Sequence, residues 1–130
     1  KTRRPKSSRK SLTLRGHLIV LIIGIMLYLN DNDVIEMLHQ IERCCEKEAV
    51  ICIREPIGIE ERLTLKDYYS DELKCDYNAI YRTRDEIKEI LKDTLLNKNF
   101  AIETERFLFE ADELNNRKET KQYYYILKRK

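Results

Sequence analysis

The chain is 130 residues long, 42% hydrophobic and 37% charged, which suits one small domain with a single core and an ionic surface. Its three glycines, Gly16, Gly24 and Gly58, are far apart. A P-loop or a dinucleotide-binding loop needs clustered glycines, so these residues contain neither. The four cysteines form no C-x-x-C pair. We therefore expect no metal site, and reduced, mostly buried thiols in a cytoplasmic protein.

Charge is distributed unevenly along the chain. Residues 1–30 carry seven basic side chains and no acidic one, although the whole chain has a formal net charge of only +2. These charges lie within residues 1–16, a basic, serine-containing segment that cannot form a core, so we expect a flexible arm there. The remainder is net acidic, and no nucleic-acid ligand is expected.

Residues 18–29 form a run of twelve residues without a charge. Because a membrane-spanning helix needs roughly 20 apolar residues, this run predicts a buried parallel strand that leads into a turn. A membrane-tethered domain anchored by residues 18–29 is the alternative. Asp33 and Glu36 then form a D-x-x-E capping box, which predicts a helix over residues 34–47 with Asp33 as its N-cap.

Residues 49–53 predict a second buried strand, which completes a β-α-β unit. Pro56 and Gly58 interrupt the strand pattern, and we expect residues 55–82 to be a long substrate or lid insertion. A second capping box, formed by Thr83 and Glu86, opens another helix.

Two further strands are predicted at residues 100–109 and 121–127. The charged loop 110–120 joins them, which indicates an antiparallel pair. The order β-α-β, long connection, α-β-β predicts an α/β fold: a partial doubly wound, Rossmann-like sheet that is mostly parallel and has an antiparallel terminal strand pair.

Several strings in this order resemble the carboxy-terminal half of class I S-adenosylmethionine-dependent methyltransferases, over about residues 17–130. They are HLIVLIIGIMLYLND (17–31), AVICIREP (49–56), YRTRDE (81–86) and QYYYIL (122–127). In that family a seven-stranded sheet ends with a reversed strand. The family's first strand and glycine-rich loop have no counterpart in these residues, and His17 stands where the family's fourth strand usually starts with an acid.

The resemblance implies that S-adenosylmethionine binds beside Gly24, Ile25 and Met26, where the chain leaves the sheet at a carboxyl edge. The alternative is that Gly24 only permits a tight strand exit and that Met26 belongs to the core. No catalytic residue is assigned, because methyl transfer from a sulfonium is an in-line displacement that depends on orientation more than on acid-base groups.

Five residues are candidates for contacting a small-molecule methyl acceptor: Arg54, Glu55, Tyr68, Tyr81 and Arg82. Arg54 and Glu55 follow the second predicted strand at the same edge of the sheet. The alternative is that they form only a solvated ion pair with each other. The tyrosines would line a pocket or contact a cationic amine, or only pack the insertion onto the sheet. Arg82 would bind a carboxylate or phosphate of the substrate, or would only lie on the surface at the start of a helix.

Without a glycine-rich loop, this stretch is expected to be incomplete or inactive alone, as a fragment or a degenerate relative of such an enzyme. The alternative is a non-catalytic α/β scaffold that pairs with a protein partner or with itself. The sheet edge near residues 18–29 is expected to be unpaired and apolar. We therefore expect a homodimer or a complementing chain at that edge.

Overall fold

The computed structural model describes residues 18–45, 47–108 and 119–129. The predicted basic arm, His17 and most of the predicted loop 110–120 lie outside these residues. The elements, in chain order, are β1 (Leu18–Ile23), α1 (Asp31–Cys44), β2 (Ala49–Gly58), β3 (Leu63–Ser70), β4 (Cys75–Tyr81), α2 (Arg84–Thr94), β5 (Phe100–Phe107) and β6 (Thr120–Arg129), with short 3₁₀ helices at Met26–Tyr28 and Leu96–Lys98.

Four strands form one mixed sheet in the order β1-β2-β6-β5. β1 is parallel to β2, and β6 is antiparallel to both β2 and β5. The predicted α/β fold and the antiparallel pair of the last two strands are thus confirmed. Two details of the prediction are wrong: only one pair of neighbours is parallel, and the reversed strand β6 lies inside the sheet rather than at its end. The interior place of β6 agrees with its buried Tyr123, Tyr125 and Leu127.

Both long helices contribute to the same hydrophobic core. Leu38 of α1 and Leu91 of α2 belong to one buried cluster with Ile51 and Ile53 of β2. A doubly wound sheet has helices on both of its faces. Among the described residues, α1 and α2 pack on the same face of the sheet, so the doubly wound arrangement stays a prediction. No helix in this part of the chain is long and apolar enough to cross a membrane. Residues 18–23 form the predicted parallel strand beside β2, but the prediction that this strand is buried is wrong, because its outer face is exposed.

The two predicted helix starts have different outcomes. The Thr83–Glu86 capping box is confirmed: the Thr83 hydroxyl accepts from the Glu86 N–H at 3.1 Å, and the Glu86 carboxylate accepts from the Thr83 N–H at 3.0 Å. Asp33 as an N-cap is wrong. Asn30 caps α1, because its side chain accepts the Asp33 N–H at 2.8 Å and thereby starts the helix one residue after Asn30.

The predicted break at Pro56 is also wrong, since β2 continues to Gly58. β1 ends at Ile23, opposite Arg54, so the last residues of β2 pair with β6 alone. The Gly58 N–H points away from β6, toward the Arg82 carbonyl at 2.9 Å. The Pro56 nitrogen lies two residues earlier and therefore on the same side, where its missing N–H removes no bond to β6.

The predicted insertion at residues 55–82 contains the hairpin β3–β4, with a register shift between Leu65 and Tyr68. One face of this hairpin packs Ala79 and Tyr81 against Leu27. All four cysteines are free, but the prediction of mostly buried thiols is wrong. Cys44 and Cys75 are exposed because they lie at the ends of α1 and β4.

Candidate functional site at the end of strand β1

The site is built around the turn that follows β1, residues 24–29, named here the β1 turn. The chain leaves the carboxyl end of β1 through Gly24, whose φ of 62° is left-handed. The Gly24 N–H donates to the Arg54 carbonyl at 2.9 Å. A left-handed residue with a side chain costs about 1–2 kcal/mol, so glycine suits this exit. A Cβ at Gly24 would meet no described atom within 4 Å, so the space beside the turn is open.

Glu55 binds the amide end of the β1 turn. Its carboxylate accepts the N–H groups of Ile25 and Met26 at 3.0 Å each and that of Leu27 at 3.3 Å. Glu55 is only 2% exposed. Burial raises the pKa of its carboxyl, and the three N–H donors and the Arg82 guanidinium lower that pKa by less. Three consecutive amides are therefore held in place by one internal carboxylate.

Arg82 binds the carbonyl end of the same turn and is equally buried, at 2%. Its two terminal nitrogens donate to the carbonyls of Met26 at 2.9 Å and Leu29 at 2.7 Å. Its Nε donates to Asp31 Oδ1 at 2.8 Å, in the first turn of α1. The guanidinium thus fixes the end of the β1 turn and links it to α1, which orients the whole connection between β1 and the helix.

Arg54 and Glu55 lie on opposite faces of β2, because adjacent residues of a strand point to opposite sides. The alternative of a solvated ion pair between them is therefore wrong. Arg54 is half-buried, and its Nε is buried without a hydrogen-bond partner among the described residues. The alternative of a surface position for Arg82 is also wrong. Substrate contact by Arg54, Glu55 or Arg82 stays a prediction. The polar groups of Glu55 and Arg82 already form hydrogen bonds with the β1 turn.

The two side chains of the β1 turn that were predicted to contact the cofactor differ in their exposure to solvent. Ile25 is exposed, whereas Met26 is buried in the core, as the alternative for Met26 required. Binding of a cofactor beside Gly24, Ile25 and Met26 stays a prediction.

The two tyrosines predicted to contact substrate also differ in their exposure to solvent. Tyr81 is buried with Leu27 and Ala79, and it packs the hairpin onto the β1 turn. Tyr68 is exposed and lies edge-on to Tyr77, with ring centroids 5.9 Å apart. Tyr28 makes a similar contact with Tyr77 at 6.2 Å. Sequence reasoning overlooked Tyr28 at this site, although its position two residues after Met26 was the available signal.

A cavity of about 500 Å³ lies elsewhere, between the end of β2 and the start of β3. It is lined by Ile59, Glu60, Glu61, Arg62, Leu63 and Glu119. None of the predicted site residues lines it. The residues that the structure describes also contain no group of three or more side chains able to hold a metal ion.

Comparisons with known proteins give similarity in structure but none in sequence. No protein-family model and no curated protein matches the sequence. A solved structure of a SAM-dependent methyltransferase from Methanosarcina mazei superimposes with a TM-score of 0.60 at 11% sequence identity. The match covers 85% of this chain and 58% of that protein, so this chain spans less than two thirds of its neighbour. The chain has a methyltransferase-like, Rossmann-like α/β fold.

Proposed function

We propose that this chain is part of an S-adenosylmethionine-dependent methyltransferase that acts on a small molecule, and that Gly24, Ile25 and Met26 adjoin the methionine end of the cofactor. The observation that carries the proposal is the β1 turn, fixed at its amide end by Glu55 and at its carbonyl end by Arg82. In α/β proteins, ligands bind at the carboxyl ends of the parallel strands, and a backbone held in one conformation favours such binding.

The residues present fit one side of such a cofactor. Gly24 leaves open space beside the turn, and the exposed Ile25 offers an apolar contact. When bound, S-adenosylmethionine supplies an electrophilic methyl group. Glu55 and Arg82 act as positioning residues, because they hold the turn and their polar groups are turned toward it.

Arg54 is the candidate for an anionic group of the acceptor. A buried donor without a partner costs about 1–3 kcal/mol, and the Arg54 Nε is such a donor among the described residues. A carboxylate or phosphate bound to the exposed part of the half-buried Arg54 side chain would form a charge-assisted bond.

The uncovered side of β1 supports the proposal that the chain is incomplete alone. β1 is an edge strand of the sheet as described. Ile19, Leu21 and Ile23 on its outer face are 62%, 63% and 49% exposed. The same face continues through Cys52, opposite Leu21, to Ile126. An apolar face beside an unpaired edge marks an interaction surface.

The shape of this surface favours a complementing polypeptide segment over a second copy. Edge-to-edge pairing of two β1 strands would join two sheets in one plane and would leave both apolar faces uncovered. Face-to-face packing of two copies would cover the faces and leave the edges unpaired. A segment that adds a strand to β1 and lays a helix over the apolar face covers both. The matched methyltransferase, of which 58% is covered, has enough additional chain for such a segment.

A calorimetric titration with S-adenosylhomocysteine tests the proposed function. We expect weak binding by the unaltered chain, because it supplies only one side of the site, and weaker binding by Glu55→Gln. Glu103→Gln is the matched control, since Glu103 is exposed on β5, and its binding should equal that of the unaltered chain. Equal binding by all three proteins would argue against a site at the β1 turn.

A further inference from the structure

Three tyrosines meet where the hairpin β3–β4 contacts the β1 turn. Tyr68 and Tyr77 are directly opposite each other on β3 and β4, so their side chains share one face of the hairpin. Tyr28 belongs to the 3₁₀ helix of the β1 turn and lies against the same ring of Tyr77. These three residues, named here the tyrosine cluster, bring two separate parts of the fold together.

The rings of the tyrosine cluster are steeply inclined to one another. The Tyr28 and Tyr68 rings make interplanar angles of 69° and 78° with the ring of Tyr77, at centroid distances of 6.2 and 5.9 Å. A cation is attracted to the face of a tyrosine ring when it lies within about 6 Å of the ring centroid, and Tyr28 and Tyr68 keep about half of their surface available for such a contact.

Packing alone does not account for the cluster. The hairpin is already attached to the β1 turn by the buried Leu27, Ala79 and Tyr81. Tyr28 and Tyr68 remain 54% and 45% exposed, so about half of each of these large side chains faces solvent. Exposed rings held at fixed angles are suited to contact a ligand.

The charge of the hairpin favours a cation. Residues 63–81 contain four acidic side chains, Asp67, Asp71, Glu72 and Asp76, and two basic ones, Lys66 and Lys74. This net negative charge raises the local concentration of cations. It would repel the phosphate or carboxylate that Arg54 suits, so the two sites select different parts of a ligand.

We propose that the tyrosine cluster binds an ammonium group, quaternary or protonated, of the methyl acceptor. This inference rests on the proposed function, because the acceptor must approach the β1 turn to which Tyr28 belongs. The cluster anchors the cationic group of the acceptor and is not itself the place of methyl transfer.

The test compares choline with 3,3-dimethylbutan-1-ol, a neutral molecule of the same shape. Cation–π contacts of about 0.5–2 kcal/mol correspond to roughly 2- to 30-fold in affinity. We expect the purified chain to bind choline more tightly than the alcohol by a factor in that range, measured by amide chemical shifts of the hairpin. Equal affinity for the two probes would overturn the proposal.

Variants separate the cluster from its surroundings. Tyr68→Leu should remove the preference for choline, and Tyr68→Phe should keep it because the ring remains. Tyr69→Leu is the matched control, since Tyr69 is exposed on the opposite face of β3. Loss of the preference in Tyr69→Leu as well would overturn the proposal. A titration with S-adenosylhomocysteine runs in parallel. If the chain binds choline but not S-adenosylhomocysteine, the cofactor site is refuted and the ammonium site is not. If it binds S-adenosylhomocysteine but shows no preference for choline, the ammonium site alone is refuted.

Discussion

Glu55 and Arg82 hold opposite ends of one turn. The Glu55 carboxylate accepts the amides of Ile25, Met26 and Leu27, and the Arg82 guanidinium donates to the carbonyls of Met26 and Leu29. The two charged residues flank the hairpin in sequence, since one precedes β3 and the other follows β4. The residues on both sides of the hairpin therefore contact the β1 turn, and Arg82 also links the turn to α1 through Asp31.

The first prediction concerns this pair. Arg82→Met leaves the buried Met26 carbonyl without its donor, and Glu55→Gln places an amide, which has only one acceptor oxygen, opposite three N–H groups. Because a buried polar group without its hydrogen-bond partner is costly, we expect each to lower the free energy of unfolding by about 1–3 kcal/mol. The double variant should lose less than the sum of the single losses, as residues in one network are coupled. Urea unfolding measures all three, and additive losses would show that the two residues act independently.

The second prediction concerns pH. Since the native pKa of Glu55 is raised, the folded chain retains a proton on this carboxyl at pH values where the unfolded chain has lost it. Stability therefore decreases with rising pH in the interval between the two pKa values. We expect the stability of the unaltered chain relative to Glu55→Gln to decrease as pH rises from about 4.3, the ordinary carboxyl pKa, and to level off above the native pKa.

Urea unfolding of both proteins across this pH range measures the difference and cancels the other titrating groups. An increase with pH would mean that the three amides and Arg82 outweigh burial.

The third prediction concerns the apolar surface of β1. The exposed Ile19, Leu21 and Ile23 should bind a fluorescent hydrophobic dye such as ANS and should cause self-association that increases with concentration. Leu21→Lys should reduce both without loss of stability, because its side chain faces solvent. Light scattering after gel filtration and dye fluorescence measure these effects. A sharply melting monomer that binds no dye would contradict the proposal of a complementing segment.

Local patterns in the sequence predicted much of the fold, and long-range contacts account for what they missed. The Thr83–Glu86 capping box and the antiparallel β5–β6 pair follow from residues close in sequence, and both are confirmed. The extension of β2 through Pro56 depends on where β1 ends, which no pattern within β2 reveals. In the same way, a sequence window cannot show that β6 inserts between β2 and β5.

The candidate site shows the same division. The sequence named Gly24, Glu55 and Arg82 among its site residues, and the structure brings all three to the β1 turn. It did not show that the two charged side chains would be buried. Charged residues are buried only with partners. The partners of Glu55 are backbone groups about 30 residues away, and those of Arg82 are backbone groups and the Asp31 carboxylate, all more than 50 residues away.

Amide chemical shifts of the isotope-labelled chain would show whether the β1 turn adjoins a cofactor. On titration with S-adenosylhomocysteine, we expect the amide signals of Gly24, Ile25 and Leu27 to move and to saturate in the millimolar range, and those of β5 to stay fixed. A folded chain whose Gly24, Ile25 and Leu27 signals do not respond would contradict a cofactor site at the β1 turn.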